Sequence, residues 1–145
     1  MSNQLMPLLL AEDDDLDAEL TISAFENRNL ANRIVRVKDG VEAMEYLKYE
    51  GKYADREKIN PALILMDLKM PRMTGIEVIK AIKSDPKLGL IPVVALTSSR
   101  EAPDVRQCYE LGVNAYVVKP VDFDEFVDAV GELGIFWAVF NEPPH

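Results

Sequence analysis

Chemistry in this chain has to come from carboxylates, hydroxyls and lysines. Its 145 residues include one cysteine, Cys108, and one histidine, His145, the last residue. That excludes Cys/His zinc sites, Ser-His-Asp triads, Cys-His dyads and disulfide frameworks together. Four short groups of capable residues remain: Glu12-Asp13-Asp14-Asp15, the lone Asp67, Thr97-Ser98-Ser99, and Lys119-Pro120. Several carboxylates in one crevice push each other's pKa up, and a hard divalent cation relieves the repulsion. Oxygen ligands with retained waters suit Mg2+ better than a softer metal. A carboxylate left partly free beside that cation is a nucleophile for a phosphoryl group and forms an aspartyl-phosphate. The transition state spreads its charge over the equatorial oxygens, which a metal, a hydroxyl and an ammonium can share. Asp67 is the candidate nucleophile of that scheme, with the acidic cluster, Thr97 and Lys119 as its partners.

Each group has a plainer use as well. Asp14 or Asp15 could start the following helix as an N-cap, and Thr97 or Ser98 could cap another. Asp67 alone reads as a cap or turn residue, and Lys119 as a solvated loop lysine. Position separates the readings. Every group directly follows an apolar run, and in an open parallel sheet ligands gather at the carboxyl ends of the strands.

Those runs are residues 7–11, 33–37, 62–66, 91–96 and 114–118. The first, third and fourth are apolar almost throughout, as strands covered on both faces are. Residues 33–37 alternate, which suits an edge strand with one solvated face. Helical spacing fills the intervals. Residues 17–26 place Leu16, Leu20, Ile22 and Ala24 on one broad side, and 41–49 carry Val41, Ala43, Met44, Leu47 and Tyr49. Residues 76–82 repeat Ile76, Ile79 and Ile82, while 105–111 are shorter and more polar. Phe123, Phe126, Val127, Val130 and Leu133 form the stripe of a last helix. Asp39-Gly40 marks a strand-to-helix turn and Ser84-Asp85-Pro86 a helix end. Residues 49–58 are polar without a period and read as a loop insertion. Five strands alternating with five helices predict an α/β fold, a doubly wound parallel sheet with right-handed crossovers. No repeat, low-complexity tract or linker divides the chain, so residues 1–145 read as a single domain.

The charge balance narrows the function classes. Lys and Arg number 16 against 25 Asp and Glu, a net charge of −9. Such a chain repels phosphate backbones and anionic lipid heads, which argues against nucleic-acid and membrane partners. No apolar run approaches the roughly 18 residues of a membrane span, and residues 1–10 lack a basic signal-peptide start. With a lone thiol as well, the cytoplasm is the expected compartment.

Four longer motifs stand around these groups. They are Leu9-Leu10-Ala11-Glu12-Asp13-Asp14, then Leu65-Met66-Asp67-Leu68-Lys69-Met70-Pro71-Arg72-Met73-Thr74-Gly75, then Ala95-Leu96-Thr97-Ser98, and last Ala115-Tyr116-Val117-Val118-Lys119-Pro120. In order and spacing they resemble the receiver domain of two-component response regulators, over residues 8–134. The resemblance implies a flavodoxin-like receiver fold of five parallel strands and five helices. It also implies that Asp67 is phosphorylated, and that Asp13, Asp67 and the backbone carbonyl of Lys69 bind Mg2+, with Glu12 reaching it through water. Thr97 would hydrogen-bond the phosphoryl oxygens and Lys119 would pair with them. Tyr116 would turn inward when Thr97 moves; its plainer reading is a strand aromatic packed on the core. Pro120 would follow a cis peptide that aims Lys119 into the crevice. Two departures stand out: the acidic pair is Glu12-Asp13 with two further aspartates, and Lys69 is cationic.

The polar insertion, Asp39-Gly40-Val41-Glu42-Ala43-Met44, Thr97-Ser98-Ser99-Arg100-Glu101 and the tail from Gly134 to Phe140 narrow the resemblance. Together they are similar to stand-alone response regulators that partner phytochrome-type histidine kinases. The expectation is one receiver domain, a C-terminal helix and tail at 122–145, no output domain, and signalling by protein contact. Phe136, Trp137, Val139 and Phe140 exceed what one helix face can bury. They are the candidate interface, either for a homodimer, which the resemblance implies, or for the kinase. Two rivals stand beside the phosphotransfer switch. An aspartyl-phosphate hydrolase would need a second carboxylate two residues after the nucleophile, where Lys69 stands, so no enzyme is expected. The other rival is an interaction module that keeps the fold and works without phosphate.

Overall fold

Three of the five apolar runs become strands buried at every position, as their composition demands: β1 (Leu8–Ala11), β3 (Leu63–Asp67) and β4 (Val93–Thr97). The alternating run forms β2 (Ile34–Val37), three of whose four residues are half-buried, and β5 (Ala115–Val118) alternates buried with half-buried. The structure is a computed structural model that describes residues 6–27, 33–98 and 102–131. All five strands pair in parallel in the order β2-β1-β3-β4-β5, so β2 and β5 are the edges. Register aligns Leu10 with Leu65 and Arg36, Asp67 with Leu96, and Thr97 with Val118.

Successive side chains of a strand point to opposite faces, so two cores form, one on each side of the sheet. Leu8, Leu10, Leu63, Leu65, Val94 and Leu96 meet α1 (Asp15–Glu26) and α5 (Phe123–Gly131) through Ala18, Phe25 and Phe126. Leu9, Ala11, Ile64, Met66, Val93 and Ala95 meet α2 (Gly40–Lys48), α3 (Gly75–Ser84) and α4 (Ala102–Glu110). These are the two covered faces of a doubly wound sheet.

The spacing argument misplaced one helix face. Leu16 and Leu20 are 63% and 46% exposed, while Ala18, Thr21 and Phe25 are buried. Phe25 sets that rotation, packing edge-on against Phe126 at 4.8 Å and Phe123 at 5.6 Å. The small Ala18 and Thr21 then let α1 lie close to the sheet. In α2 the buried aromatic is Tyr46, which the sequence pattern had passed over, beside Ala43 and Leu47. Helix α4 begins three residues earlier than its apolar spacing suggested.

The polar insertion is ordered by side-chain chemistry. A 3-10 turn at Gly51–Tyr53 is followed by Arg56, whose guanidinium lies 3.8 Å from the Tyr46 ring centre and 4.0 Å from that of Tyr49. Arg56 also donates to the carbonyls of Tyr46, Glu57 and Ile59. A planar cation stacked on aromatic faces explains why no hydrophobic period was needed there. Leu133 and the candidate interface residues Phe136, Trp137, Val139 and Phe140 lie outside the described residues. Among the described residues no helix is long and apolar enough to cross a membrane.

Candidate functional site

The carboxyl ends of β1, β3, β4 and β5 lie side by side, and the sheet's own hydrogen bonds continue one residue past the strands. Glu12 N–H donates to the Val37 carbonyl at 3.0 Å, Leu68 N–H to that of Leu96 at 3.2 Å, and Lys119 N–H to that of Thr97 at 2.8 Å. The four groups singled out in the sequence therefore arrive at one edge on fixed backbone. Glu12 is fully buried, Asp67 and Thr97 nearly so, and Asp13 is exposed. Carboxylate oxygens of Glu12, Asp13 and Asp67 all lie within 4.8 Å of one another. The Lys119–Pro120 peptide is cis. Lys119 puts its ammonium 3.1 Å from Glu12 Oε1 and 3.5 Å from Asp67 Oδ2.

One ammonium thus faces a crowd of carboxylates. Burial comes first for Glu12, and its contact with Asp67 adds to it, so its pKa is pushed up from 4.5 to about 7. The bonds from Lys119 and from Asp14 N–H oppose this without cancelling it. Asp13 is raised too, by burial and then by the charge of Asp67. Burial works against the Lys119 charge, but its bond to Glu12, the field of Asp67 and a bond to Asp17 outweigh that and hold it above its usual value. The set is all oxygen, tightly grouped and short of positive charge, which fits a hard divalent cation.

A pH dependence follows from Glu12. Its folded pKa, about 7, lies above its unfolded value of 4.5, so between them the folded state binds the extra proton. Stability of the metal-free protein therefore falls as pH rises through that window. Carboxyls held low, such as Asp15 by its bond to Arg36, act at lower pH and in the opposite sense. Denaturant midpoints should be lower at about pH 8 than at about pH 5, and Glu12→Gln should flatten the difference. Equal wild-type midpoints would place Glu12 in no unusual environment.

Several site residues escaped the sequence reading. Arg36 of β2 donates Nε and Nη2 to the Glu12 carbonyl at 3.0 and 2.9 Å, and its Nη1 pairs with Asp15 at 2.8 Å. Its only signal was a cation amid the apolar alternation of β2. Asp14 is the N-cap of α1, accepting from Asp17 N–H, so the plainer reading of that residue holds. Asp17 also holds Lys119 at 3.1 Å, a contact that nothing in the pattern foretold. Arg72, with φ 66°, makes two 3.0 Å bonds to Asp39, whose Oδ1 simultaneously caps α2 at Glu42 N–H. That clamp ties the segment after Asp67 to the start of α2. Thr74 and Glu77 close the segment with a capping box on α3. Tyr116 is half-buried, packed on the α2–α4 side, with the Tyr109 ring edge-on at 6.0 Å.

The chain is similar to proteins already known in sequence and in structure. The family model described as "Response regulator receiver domain" matches residues 8–131. Among curated proteins, "Response regulator Rcp1" of Synechocystis sp. (strain ATCC 27184 / PCC 6803 / Kazusa) is 35% identical over 136 residues, covering 94% of this chain and 91% of that protein. The solved structure of the Mn(2+)-bound form of response regulator Rcp1 superposes with a TM-score of 0.76 at 34% identity, over 97% of this chain and 99% of that one. "Bacteriophytochrome response regulator RtBRR" superposes with a TM-score of 0.86 at 55% identity, over 97% of this chain and 85% of that one. The phosphorylated cyanobacterial phytochrome response regulator RcpA gives a TM-score of 0.76 at 39% identity, over 92% and 94%.

Proposed function

The chain belongs to the response regulator receiver domain family, and from that membership we propose that Asp67 accepts a phosphoryl group from a histidine kinase. The observation that carries the proposal is the juxtaposition of the Glu12, Asp13 and Asp67 carboxylates with the Lys119 ammonium. In the transfer, an oxygen lone pair of Asp67 forms the new bond to phosphorus while the phosphorus–nitrogen bond to the kinase imidazole breaks. The imidazole leaves with that electron pair. Asp13, Asp67 and the backbone carbonyl of Lys69 would hold Mg2+, with Glu12 beside them as the outer carboxylate, and the ion would supply positive charge to the transferring oxygens. Lys119 turns its ammonium to the phosphoryl group, and the Thr97 hydroxyl donates to it. The chain is then a phosphoacceptor rather than an enzyme.

The signal is a shift between two arrangements of Thr97 and Tyr116 that alters binding of a protein partner, for which about 1–3 kcal/mol of coupling suffices. The kinase is of phytochrome type, which the similarity to bacteriophytochrome and phytochrome response regulators supports. The compartment is the cytoplasm, which the acidic charge balance and lone thiol support, and the tail residues Phe136, Trp137, Val139 and Phe140 serve a homodimer contact, which their apolar bulk and the resemblance to stand-alone phytochrome response regulators support.

Intact mass after incubation with acetyl phosphate, with and without Mg2+, tests the core of this reading. One added phosphoryl group is expected with Mg2+ and none without. Should neither acetyl phosphate nor a phosphorylated phytochrome kinase add mass, the chain is a phosphate-independent binding module.

A further inference from the structure

Lys119 has more partners than phosphoryl chemistry requires. Its ammonium is shared among Glu12 Oε1 at 3.1 Å, Asp17 Oδ2 at 3.1 Å and Asp67 Oδ2 at 3.5 Å. Glu12 and Asp67 belong to the carboxylate group that fits a cation, and Asp17 does not. Asp17 stands on the first turn of α1, its N–H fixed by the Asp14 cap at 2.8 Å. Its side chain is 36% exposed, whereas that of Lys119 is 12% exposed. The contact therefore draws the ammonium from the acceptor carboxylate toward the rim of the crevice, and the Asp17 distance is the shorter of the two.

We propose that Asp17 is a positioning residue that tethers Lys119 and competes with the phosphoryl group for its ammonium. This deepens the phosphoacceptor reading and rests on it. When a phosphoryl group arrives on Asp67, a cation already placed on Glu12 and Asp67 leaves Asp17 as the remaining rival anion. Part of the affinity for the phosphoryl group is spent in loosening that pair. Asp17 thereby sets how readily the crevice accepts and retains its anion, without touching it.

Beryllofluoride, which takes the shape of a phosphoryl group on a carboxylate, is the probe, with Mg2+ present. Asp17→Asn should bind it about two- to fivefold more tightly than wild type, the range that a half-exposed ion pair spans. Glu19→Gln is the control for charge alone: it is exposed on the same helix, outside the crevice, and should leave the affinity unchanged. In a Lys119→Met background the Asp17→Asn gain should vanish, since the effect runs through that ammonium. A gain that survives Lys119→Met, or an affinity unchanged or weakened by Asp17→Asn, overturns the tether. A second readout needs no ligand at all. The 15N resonance of Lys119 Nζ in the metal-free protein should shift in Asp17→Asn and stay put in Glu19→Gln. Wild type that ignores beryllofluoride while this resonance shifts would sink the phosphoacceptor reading and leave the tether standing; an unmoved resonance would sink the tether whatever wild type binds.

Discussion

Asp67→Asn takes up no phosphoryl group from acetyl phosphate or kinase, and melts no lower than wild type. The two halves of that result have separate causes. An amide has no anionic oxygen to attack phosphorus, so the loss of phosphorylation is complete rather than partial. Stability obeys the charge balance of the crevice. Asp67 raises the pKa of the buried Glu12 and of the exposed Asp13, a sign that the three carboxylates repel one another. Asparagine has nearly the same shape and removes that repulsion, at the cost of the 3.5 Å contact with Lys119. Lys119 keeps Glu12 and Asp17, each at 3.1 Å. Intact mass and thermal melting in chelator measure both quantities on one preparation. A variant that still gains a phosphoryl group would move the acceptor elsewhere, and a clearly lower melting point would mean that Lys119 depends on Asp67 more than the distances imply.

The second large effect comes from a residue with no side chain. A Cβ added at Gly75 would lie 2.0 Å from the Asp67 carbonyl oxygen and 2.7 Å from Leu68 Cα. Its N–H donates to the Leu68 carbonyl at 3.1 Å, so α3 starts by pressing its backbone against the acceptor residue. Neither atom is the movable end of a side chain. Overpacking ordinarily costs about 1–3 kcal/mol, and a clash with backbone belongs at or above the top of that range. Gly75→Ala should lose at least about 3 kcal/mol, or about 6 °C or more in melting temperature. It should also slow phosphorylation, because the strain is relieved by moving Asp67. An alanine variant that melts and phosphorylates like wild type would show that α3 can retreat without dragging the acceptor with it.

Parallel architecture was legible because burial on both faces leaves a composition: Leu8 to Ala11, Leu63 to Met66 and Val93 to Leu96 have no other use for so many apolar residues. The meeting of Glu12, Asp13, Asp67 and Lys119 was legible too, since each follows such a run and strand ends of one sheet are neighbours. Helix rotation was not. Leu16 and Leu20 had the better hydrophobic spacing, yet the single large ring of Phe25 decided which side of α1 meets Phe126. Nor does spacing reveal polar contacts made across the fold. Arg36 reaching the Glu12 carbonyl, Arg72 gripping Asp39 and Asp17 holding Lys119 join residues remote in sequence, and each looks in isolation like a solvated charge. The insertion misled for a related reason: its order rests on one cation stacked between Tyr46 and Tyr49.

That insertion divides the chain in a telling place. Ala54 and Asp55 are both exposed, with Glu12 and Asp13 before them and Asp67, Thr97 and Lys119 after. A cut between them would separate β2 and β1 from β3, β4 and β5 along the seam where Leu10 faces Leu65. Neither half would own a complete set of carboxylates. Luminescence of a lanthanide held in the crevice would then appear only when the two halves dock, so the receiver fold carries within it the makings of a split reporter.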